Sequence, residues 1–593
     1  MPTLDWIGKR AVVNHHNEVP YKTLELQYTY KDGKKDCDCD ESENMIIHGD
    51  NLEALKALLP KYEGKVNCIY IDPPYNTGNS PDKGGWIYSD NVDSPQIQKW
   101  LGEIVGKETE DLTRHDKWLC MMYPRLKLLH KLLADNGAIF ISIDDHEDEH
   151  LKVLCSEVFG QSNFVAQVIW ERAYSPVNLK KHFSESHDYI ICYAKNLSKL
   201  ICNGLPRTED ANNRYANPDN DPRGVWKPSD FSVGPAVENN IYEITTPSGR
   251  KVLPPDGRSW VSDKETYLNL LQENRIWFGE KGNNVPCTKR FLTDVKDGIT
   301  PMTIWKYTEV GHSQDATKHL KDIFGGESVF PYPKTVELIK RCLSLYTNKD
   351  SIILDSFAGS GTTAEAVLEL NKNDDGNRKF ILVEMENYAD KITAERVKRV
   401  IDGYPYKGKK EEEIYNQKLT VKNLAKASEF IEEANTIIEE KKEEYDKISN
   451  PKIVDNCIKV IGTKVYDEKM DGLGGDFSFY ELGEPLMNES GFINENQSLD
   501  RIQEYIWYTE THSPFKKNGK NGEYHLGIFN DVSYYFYYEK DRITTLDASF
   551  LNQEIKNKAD QYIIYADNCL LSDELLKRFN IVFKKIPRDI RQF

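Results

Sequence analysis

Five short, mostly apolar segments alternate with amphipathic segments, and this alternation constrains the fold more than any other feature of the chain. They are MIIH at 45–48, VNCIYI at 66–71, AIFISI at 138–143, SIIL at 351–354 and FILVEM at 380–385. Apolar residues fill nearly every position, which is typical of strands that are buried on both faces of a parallel sheet. The sequence therefore predicts a doubly wound, mostly parallel α/β sheet covered by helices.

Amphipathic segments between these strands predict the covering helices. Apolar residues recur at helical spacing in six segments, at 51–62, 118–137, 149–160, 335–346, 362–371 and 388–401. We expect the helix at 118–137 to be broken at Pro124 and to end at Asn136–Gly137, because proline interrupts a helix and glycine commonly ends one. The helix at 149–160 should end at Gly160 for the same reason.

The patterns divide the chain into six predicted parts. The regular α/β alternation is lost after about residue 171 and returns near 333, and the intervening sequence is rich in Pro, Gly, Asn and Asp. The parts are an N-terminal extension (1–43), one half of the α/β core (44–170), an insertion (171–325), the other half of the core (326–405), a charged helical arm (406–450) and a C-terminal α/β domain (451–593).

The charged arm is rich in Lys and Glu at helical spacing. This composition predicts a long solvated helix or a helical hairpin. Its role is open between an arm that binds a partner or a second copy and a helix that is a packed linker.

Composition restricts the class of protein and its location. The net charge of -18 opposes nucleic-acid binding as a whole-chain property, but a binding cleft is a local feature and can be basic on an acidic protein. No apolar run approaches the roughly 20 residues of a membrane helix, and the N-terminus lacks an apolar signal region, so we expect a cytoplasmic protein without membrane contact. A single close cysteine pair, Cys37 and Cys39, reads as an exposed acidic turn, and we expect no metal.

The tetrapeptide Asp72-Pro73-Pro74-Tyr75 follows the strand at 66–71 directly and should project beyond its carboxyl end, where open α/β sheets bind ligands. The Asp72 carboxylate and the Pro73 carbonyl are two acceptors that suit an exocyclic amine, whose hydrogens become more acidic as its nitrogen attacks. Pro74 restrains the direction of the preceding carbonyl. Tyr75 offers a flat face for a base that has left the stack. The alternative is a purely structural Pro-Pro turn.

A glycine-rich loop forms the second candidate half of a site. Asp355, Phe357, Gly359, Gly361 and Thr362 lie in DSFAGSGTT, between a predicted strand and a predicted helix. Glycines let a backbone approach a ligand closely and turn sharply into a helix. No lysine follows the last glycine, so the loop is not a Walker phosphate loop. A tight turn without a ligand is the alternative.

Glu384 ends the strand that follows this loop. A carboxylate at that position is placed to bind ribose hydroxyls. This order of elements, in which the glycine loop is followed by a helix and by a strand that ends in Glu384, favours an adenosyl ligand without phosphates.

Longer strings resemble a known family. Five strings resemble the modification subunits of type III restriction systems, which are permuted, β-type amino-methyltransferases of DNA. They are NMIIHGDNLEALKALL, CIYIDPPYNTGN, FISIDDHE, HDYIICYAKN and DSFAGSGTTAEAV. In that family the catalytic motif precedes the cofactor loop, and the target-recognition region lies between them. The resemblance covers about 44–200 and 310–405, with looser similarity in the C-terminal region.

The resemblance implies roles for residues that match the family motifs. Asp72, Pro73 and Tyr75 would hold the target adenine. The residues that would line the cofactor are Asp50, Lys334, Asp355, Phe357, Gly359, Gly361, Thr362 and Glu384.

The roles of Asp50, of Lys334 and of the far side of the base pocket are open to other interpretations. Asp50 would face the cofactor's adenine, and it is equally placed to cap the following helix. Lys334 would lie beside the methionine end, although Thr335 stands where the family often has proline. Phe183 or Tyr189 could form the other side of the base pocket, but core packing is the preferred interpretation for both.

The implied function is site-specific methylation of adenine N6 in double-stranded DNA, with S-adenosylmethionine as methyl donor, base flipping and a role in a restriction–modification system. Asp at the first position of the tetrapeptide goes with adenine in this family. The resemblance also implies a homodimer and a restriction (helicase–nuclease) partner subunit. The alternatives are an N4-cytosine target, an amine in RNA or in a protein glutamine, and a non-catalytic DNA-specificity subunit.

Overall fold

The computed structural model describes residues 3–36, 40–77, 95–104, 113–176, 181–207, 209–295, 298–420, 423–454, 456–488, 490–516 and 524–588. The chain forms two compact units. Unit 1 comprises Met1–Ile201 and Thr303–Phe593, and unit 2 comprises Cys202–Met302. The cysteine pair at 37 and 39 lies outside the described residues.

The first segment of unit 1 contains the strands and helices of one half of the predicted core. Its strands are β1 (Lys22–Lys31), β2 (Lys34–Asp36), β3 (Met45–His48), β4 (Val66–Ile71), β5 (Leu133–Ile143), β6 (Phe164–Glu171) and β7 (His187–Ala194). Its helices are α1 (Lys9–Val12), α2 (His15–Glu18), α3 (Asn51–Tyr62), α4 (Pro95–Ile104), α5 (Arg114–Leu132) and α6 (Asp148–Phe159).

Unit 2 consists of short strands and two helices around an aromatic core that includes Phe231, Trp260 and Phe278. Its helices are α7 (Glu209–Asn212) and α8 (Lys264–Gln272). Its strands are β8 (Trp226–Asp230), β9 (Ser232–Val233), β10 (Ile244–Thr245), β11 (Lys251–Val252), β12 (Ser259–Trp260), β13 (Ile276–Trp277) and β14 (Cys287–Phe291).

The second segment of unit 1 supplies the other half of the core and the C-terminal part. Its helices are α9 (Tyr307–Val310), α10 (Ser313–Ile323), α11 (Val336–Tyr346), α12 (Thr362–Asp374), α13 (Glu395–Asp402), α14 (Ala427–Glu440), α15 (Leu499–Thr511), α16 (Ala548–Glu554) and α17 (Asp573–Arg578). Its strands are β15 (Ile304–Trp305), β16 (Ile352–Asp355), β17 (Lys379–Glu384), β18 (Gly403–Lys418), β19 (Lys447–Ile448), β20 (Lys452–Val454), β21 (Cys457–Asp471), β22 (Asp476–Pro485), β23 (His525–Phe529), β24 (Val532–Phe536), β25 (Thr545–Leu546), β26 (Gln561–Ala566), β27 (Asn568–Cys569) and β28 (Ile581–Lys585).

One sheet of 11 strands organises unit 1, in the order β15-β6-β7-β5-β4-β16-β17-β3-β22-β1-β2. The central run from β5 to β22 is parallel throughout. Five of these strands, β3, β4, β5, β16 and β17, are mostly buried, as expected for a sheet covered on both faces. The predicted α/β class with a mostly parallel, doubly wound sheet is therefore confirmed.

Strands from distant parts of the chain alternate in the centre of this sheet. β3 and β4 follow each other in sequence, but β16 and β17 lie between them in space. Ile353 and Leu354 of β16 pair in parallel with Cys68 and Ile69 of β4. The carboxyl ends of β4 and β16 therefore lie side by side.

Helix α5 and strand β5 differ from the prediction. The helix runs through Pro124 and ends at Leu132, and the strand begins at Leu133. Pro124 is buried, so packing outweighs the backbone hydrogen bond that proline cannot make. Gly137 lies inside the strand and does not cap a helix. The strand requires glycine there for another reason: an added Cβ would lie 2.8 Å from the backbone oxygen of Asn67.

The first part of the predicted charged helical arm is a strand. β18 pairs antiparallel with β21 along its whole length, and only α14 is helical in the second part. Lys and Glu favour helices only weakly, and pairing with a partner strand outweighs that preference. The prediction of a long helix over 407–450 is wrong for 407–418.

The predicted boundaries also differ from the observed units. β1 from the N-terminal extension pairs with β22 from the C-terminal part, and β22 pairs with β3, so both complete the main sheet. β6, β7 and β15 also belong to this sheet, which leaves a compact insertion of 202–302, narrower than 171–325. Within the described part of the chain, no helix is long and apolar enough to cross a membrane.

The contact of β22 with the end of β3 gives a stability test. Gly49 follows β3 with φ +145, and a Cβ added there would lie 2.4 Å from Leu482 Cδ1 on β22. We expect Gly49→Ala to lower the free energy of unfolding by about 1–3 kcal/mol, through overpacking and backbone strain. Chemical denaturation monitored by tryptophan fluorescence measures the change.

Two further variants complete this test. Gly64 also has a positive φ but open space around it, so Gly64→Ala reports the strain without the clash. Leu482→Ala should remove the clash, so the double variant with Gly49→Ala should lose less than the sum of the singles. Additive losses would mean that these two residues are not in contact.

Candidate active site

The two predicted halves of a site line one cavity of about 660 Å³ in unit 1. The cavity lies beyond the adjacent carboxyl ends of β4 and β16, where open α/β sheets bind ligands. Predicted residues that line it are Asp72, Pro73, Tyr75, Lys334, Asp355, Phe357, Gly359 and Thr362.

The tetrapeptide after β4 presents a carboxylate to this cavity. Asp72 Oδ2 accepts a hydrogen bond from Lys334 Nζ at 2.7 Å. Asp72 Oδ1 is buried, and no described residue donates to it with good hydrogen-bond geometry, although the Tyr75 hydroxyl interacts with the Asp72 carboxylate. Lys334 Nζ also lies 4.9 Å from the centroid of the Tyr75 ring. A cation and a tyrosine thus hold the Asp72 carboxylate where it lines the cavity.

Contacts behind the tetrapeptide fix its backbone. The buried Trp118 donates its indole N–H to the carbonyl of Pro74 at 2.7 Å. Asn76, directly after Tyr75, has a φ of +59 and donates its side-chain amide to the carbonyl of Arg114 at 3.1 Å. Neither Trp118 nor Asn76 was predicted to act at the site, because each lies behind the residues that line the cavity.

The glycine loop turns from β16 into α12. Gly359 has a φ of +51, and an added Cβ would lie 3.2 Å from the Phe330 ring. Gly361 caps α12 with a φ of +81, so both glycines occupy conformations that other residues rarely adopt. Asp355 accepts hydrogen bonds from Phe357 N–H at 3.0 Å and from the Thr363 hydroxyl.

A buried ion pair supports this loop from below. Arg396 Nε lies 2.8 Å from Glu365 Oε2, and both side chains are almost fully buried. Arg396 Nη1 also donates to Ser360 Oγ at 2.8 Å and to Thr362 Oγ1 at 2.7 Å. Burial opposes the charge of Glu365, but Arg396 and His319 lower its pKa to about 2. The pair was not predicted from the sequence, since its partners are 31 residues apart on two helices.

The cavity is acidic, and its carboxylates are poorly solvated. Burial, together with a smaller effect of the charge of Asp72, raises the pKa of Asp355 to about 7. Burial likewise raises the pKa of Asp188 to about 6, although Lys334 and Arg172 oppose the shift. Arg172 Nε lies 2.7 Å from Asp188 Oδ1. Perturbed carboxylates gathered in a cavity are typical of functional sites.

Four predicted residues do not line the cavity. Asp50 caps α3 by accepting from the backbone N–H groups of Leu52 and Glu53. Glu384 accepts from the N–H groups of Gly359 and Glu386, and burial raises its pKa to about 8. The other two are Pro74 and Gly361. The ligand-binding roles of Asp50 and Glu384 stay predictions, while both support the backbone around the cavity.

The two candidates for the far side of a base pocket behave differently. Phe183 is 87% exposed, so the preferred interpretation as a core residue is wrong for it. Tyr189 packs against the main core and donates its hydroxyl to Asp145, which confirms core packing there. Neither of them lines the cavity, but Tyr332 does, with an 82% exposed ring and a φ of +51.

One group of side chains among the described residues has the composition of a metal site. A ring nitrogen of His115, a ring nitrogen of His150 and a carboxylate oxygen of Glu147 lie within 4.8 Å of one another. Glu147 is fully buried, and both histidines are partly exposed.

The sheet and the cavity at its carboxyl edge are those of the α/β methyltransferase fold that the sequence predicts. A family model described as DNA methylase matches residues 66–395, more than half of the chain. The chain belongs to this family.

Three relatives illustrate the similarity. The StyLTI Mod subunit, a type III restriction-modification enzyme of Salmonella typhimurium, is 34% identical over 60% of this chain and 57% of its own length. The EcoPI Mod subunit of Escherichia phage P1 is 34% identical over 66% of this chain and 64% of its own length. The type II methyltransferase M.KpnI of Klebsiella pneumoniae is 30% identical over 66% of this chain and 97% of its own length. The chain thus spans about three fifths of the type III relatives that it matches.

The ion pair beneath the glycine loop gives a second test. Arg396→Met leaves Glu365 buried with only His319 as a charged partner, and we expect a loss of about 3–5 kcal/mol in the free energy of unfolding. Adding Glu365→Gln should restore much of that loss, because the uncompensated charge disappears. Thermal and chemical denaturation of the single and double variants measures both effects.

Arg399→Met is the matched control. Arg399 lies on the same helix and pairs with Glu395, but its side chain is 39% exposed. Arg399 Nη1 also donates to the carbonyl of Ile323 at 3.1 Å. An exposed pair contributes about 0–1 kcal/mol and one such hydrogen bond about 0.5–1.5 kcal/mol, so this variant should lose clearly less than Arg396→Met. A double variant that is no more stable than Arg396→Met would contradict the role of the buried charge.

Proposed function

We propose that the protein is a site-specific DNA methyltransferase that transfers a methyl group from S-adenosylmethionine to N6 of adenine in double-stranded DNA. The observation that carries the proposal is that the Asp72 carboxylate and the glycine loop line the same cavity. A carboxylate that lines a cavity is suited to accept a hydrogen bond from a donor on a ligand. An exocyclic amino group supplies such a donor.

The chemistry of the cavity fits the proposed cofactor. Four carboxylates line it, from Asp72, Asp144, Asp188 and Asp355, against the cations of Lys334 and Arg172. Burial and mutual repulsion raise the pKa of Asp188 and Asp355, and a cationic ligand would relieve that repulsion. S-adenosylmethionine carries a sulfonium and an ammonium cation, and its sulfonium supplies the activated methyl group. Phe357, Gly359 and Thr362 would hold it.

The tetrapeptide would position the target amine. The Asp72 carboxylate and the Pro73 carbonyl would accept hydrogen bonds from the two N6 hydrogens and so favour the tetrahedral nitrogen that attacks. The Lys334 ammonium donates to Asp72 Oδ2 and so restrains the orientation of the carboxylate. Tyr75 would stack on a base rotated out of the duplex. Much of the rate acceleration would come from this positioning.

Other parts of the chain would serve recognition and assembly. Unit 2, which has its own hydrophobic core, is proposed as the target-recognition domain. The relatives are subunits of restriction-modification enzymes, which supports a restriction subunit as partner. A homodimer and action in the bacterial cytoplasm are part of the same proposal.

Replacement of Asp72 tests this proposal. Asp72→Ala removes the carboxylate that lines the cavity. We expect the rate of DNA methylation to fall by about 10³-fold or more, which is the size of the effect when an essential electrostatic contact to the transition state is lost. Affinity for S-adenosylmethionine, measured by calorimetry, should change little, because other residues hold the cofactor. Asp135→Asn, which removes an exposed carboxylate, is the control and should leave both quantities unchanged.

Mass spectrometry of nucleosides from methylated DNA identifies the product. N6-methyladenine is expected, and N4-methylcytosine would replace the proposed target base. Radiolabelled methyl offered with DNA, RNA and protein separates the substrate classes. A wild-type protein that binds no cofactor would be a non-catalytic specificity subunit, and the proposal would fail.

A further inference from the structure

A buried carboxylate lies directly behind the tetrapeptide and organises the side chains around it. Glu147 precedes α6 and its side chain is fully buried. His115 Nδ1 lies 2.8 Å from Glu147 Oε1, and His150 Nδ1 lies 2.9 Å from Oε2. The amide of Asn76 also donates to Oε1. One carboxylate therefore joins the start of α5, the start of α6 and the residue that follows Tyr75.

Asn76 connects this carboxylate to the tetrapeptide. Its φ of +59 is a conformation that asparagine tolerates better than most residues, but a free chain populates it only sparsely. Its amide is held by two acceptors, Glu147 Oε1 and the carbonyl of Arg114. Because Trp118 holds the carbonyl of Pro74, the backbone is fixed immediately before and immediately after Tyr75.

We propose that Glu147 is a positioning residue for methyl transfer, which holds Asn76 and thereby orients Asp72, Pro73 and Tyr75 towards the target amine. This inference rests on the proposed function, and it assigns a role to a residue that touches neither substrate nor cofactor.

Hydrogen bonding accounts for the cluster better than a bound cation does. The histidine nitrogens approach the carboxylate oxygens at ordinary hydrogen-bond distances, and Asn76 engages Oε1 as well. A divalent ion would have to replace these contacts with bonds to itself. Stoichiometric zinc in the purified protein, lost on replacement of His150, would therefore overturn the hydrogen-bonded arrangement.

The central variant is Glu147→Ala, which removes both carboxylate oxygens and leaves the Asn76 amide with the carbonyl of Arg114. We expect kcat for DNA methylation to fall on the order of 10²-fold, the effect of displacing a reacting group by about 1 Å. The KM for DNA and the affinity for S-adenosylmethionine should stay within a few-fold of wild type. Burial raises the pKa of Glu147 to about 7, so assays at pH 8 keep the wild-type carboxylate ionised.

Three further variants separate positioning from general damage. Glu147→Gln keeps an acceptor oxygen for Asn76 and should regain most of kcat. Asn76→Gly keeps the backbone conformation available but lacks the amide, so kcat should fall as in Glu147→Ala. Their double variant should lose no more than about 3-fold beyond either single, because both break one connection. Glu149→Ala, at an exposed position on α6, should behave as wild type.

The outcomes distinguish the two proposals. If wild-type protein does not methylate DNA, the proposed function fails. If wild type methylates DNA and folded Glu147→Ala or Asn76→Gly keeps wild-type kcat, the positioning role fails while the function stands. Titration with S-adenosylmethionine measures the fraction of each variant that is folded and binds the cofactor. Each measured rate is divided by this fraction to give kcat for the folded protein. Equal losses in Glu147→Gln and Glu147→Ala, or fully multiplicative losses in the double variant, would also overturn the inference.

Discussion

The parallel pairing of β4 with β16 is the interaction on which the rest of the structure depends. The paired residues are 285 positions apart in sequence, and their pairing places Asp72 and the glycine loop at one edge of the sheet. β3 and β4 alone would leave a gap that β16 and β17 fill.

Buried polar contacts then hold each half in place from behind. Under the glycine loop, Arg396 satisfies both the charge of Glu365 and the hydroxyls of Ser360 and Thr362. Behind the tetrapeptide, Trp118 holds the carbonyl of Pro74. Such groups are costly to bury unless they are fully paired, so they fix one backbone conformation rather than simply adding stability.

The residues that face the cavity and the residues that support it have different signals in the sequence. Asp72 and the loop glycines stand out because they follow apolar strands directly and have unusual conformational properties. Arg396, Glu365 and Trp118 lie inside ordinary amphipathic helices, where nothing local separates a supporting side chain from a core residue. Lys334, which is expected beside a cofactor, also pairs with Asp72, a contact across 262 residues that no local pattern indicates.

The sequence by itself determined the α/β class, the main strands and the two motifs that line the cavity, because buried parallel strands and the turns that follow them have strong local patterns. Only the tertiary structure decided that the terminal segments join the main sheet through β1 and β22, and that β18 is a strand. It also showed that Asp50 caps α3 and that Glu384 accepts from the glycine loop. Strand pairing and the partners of buried polar groups depend on contacts between distant residues, and local propensity contains no information about those contacts.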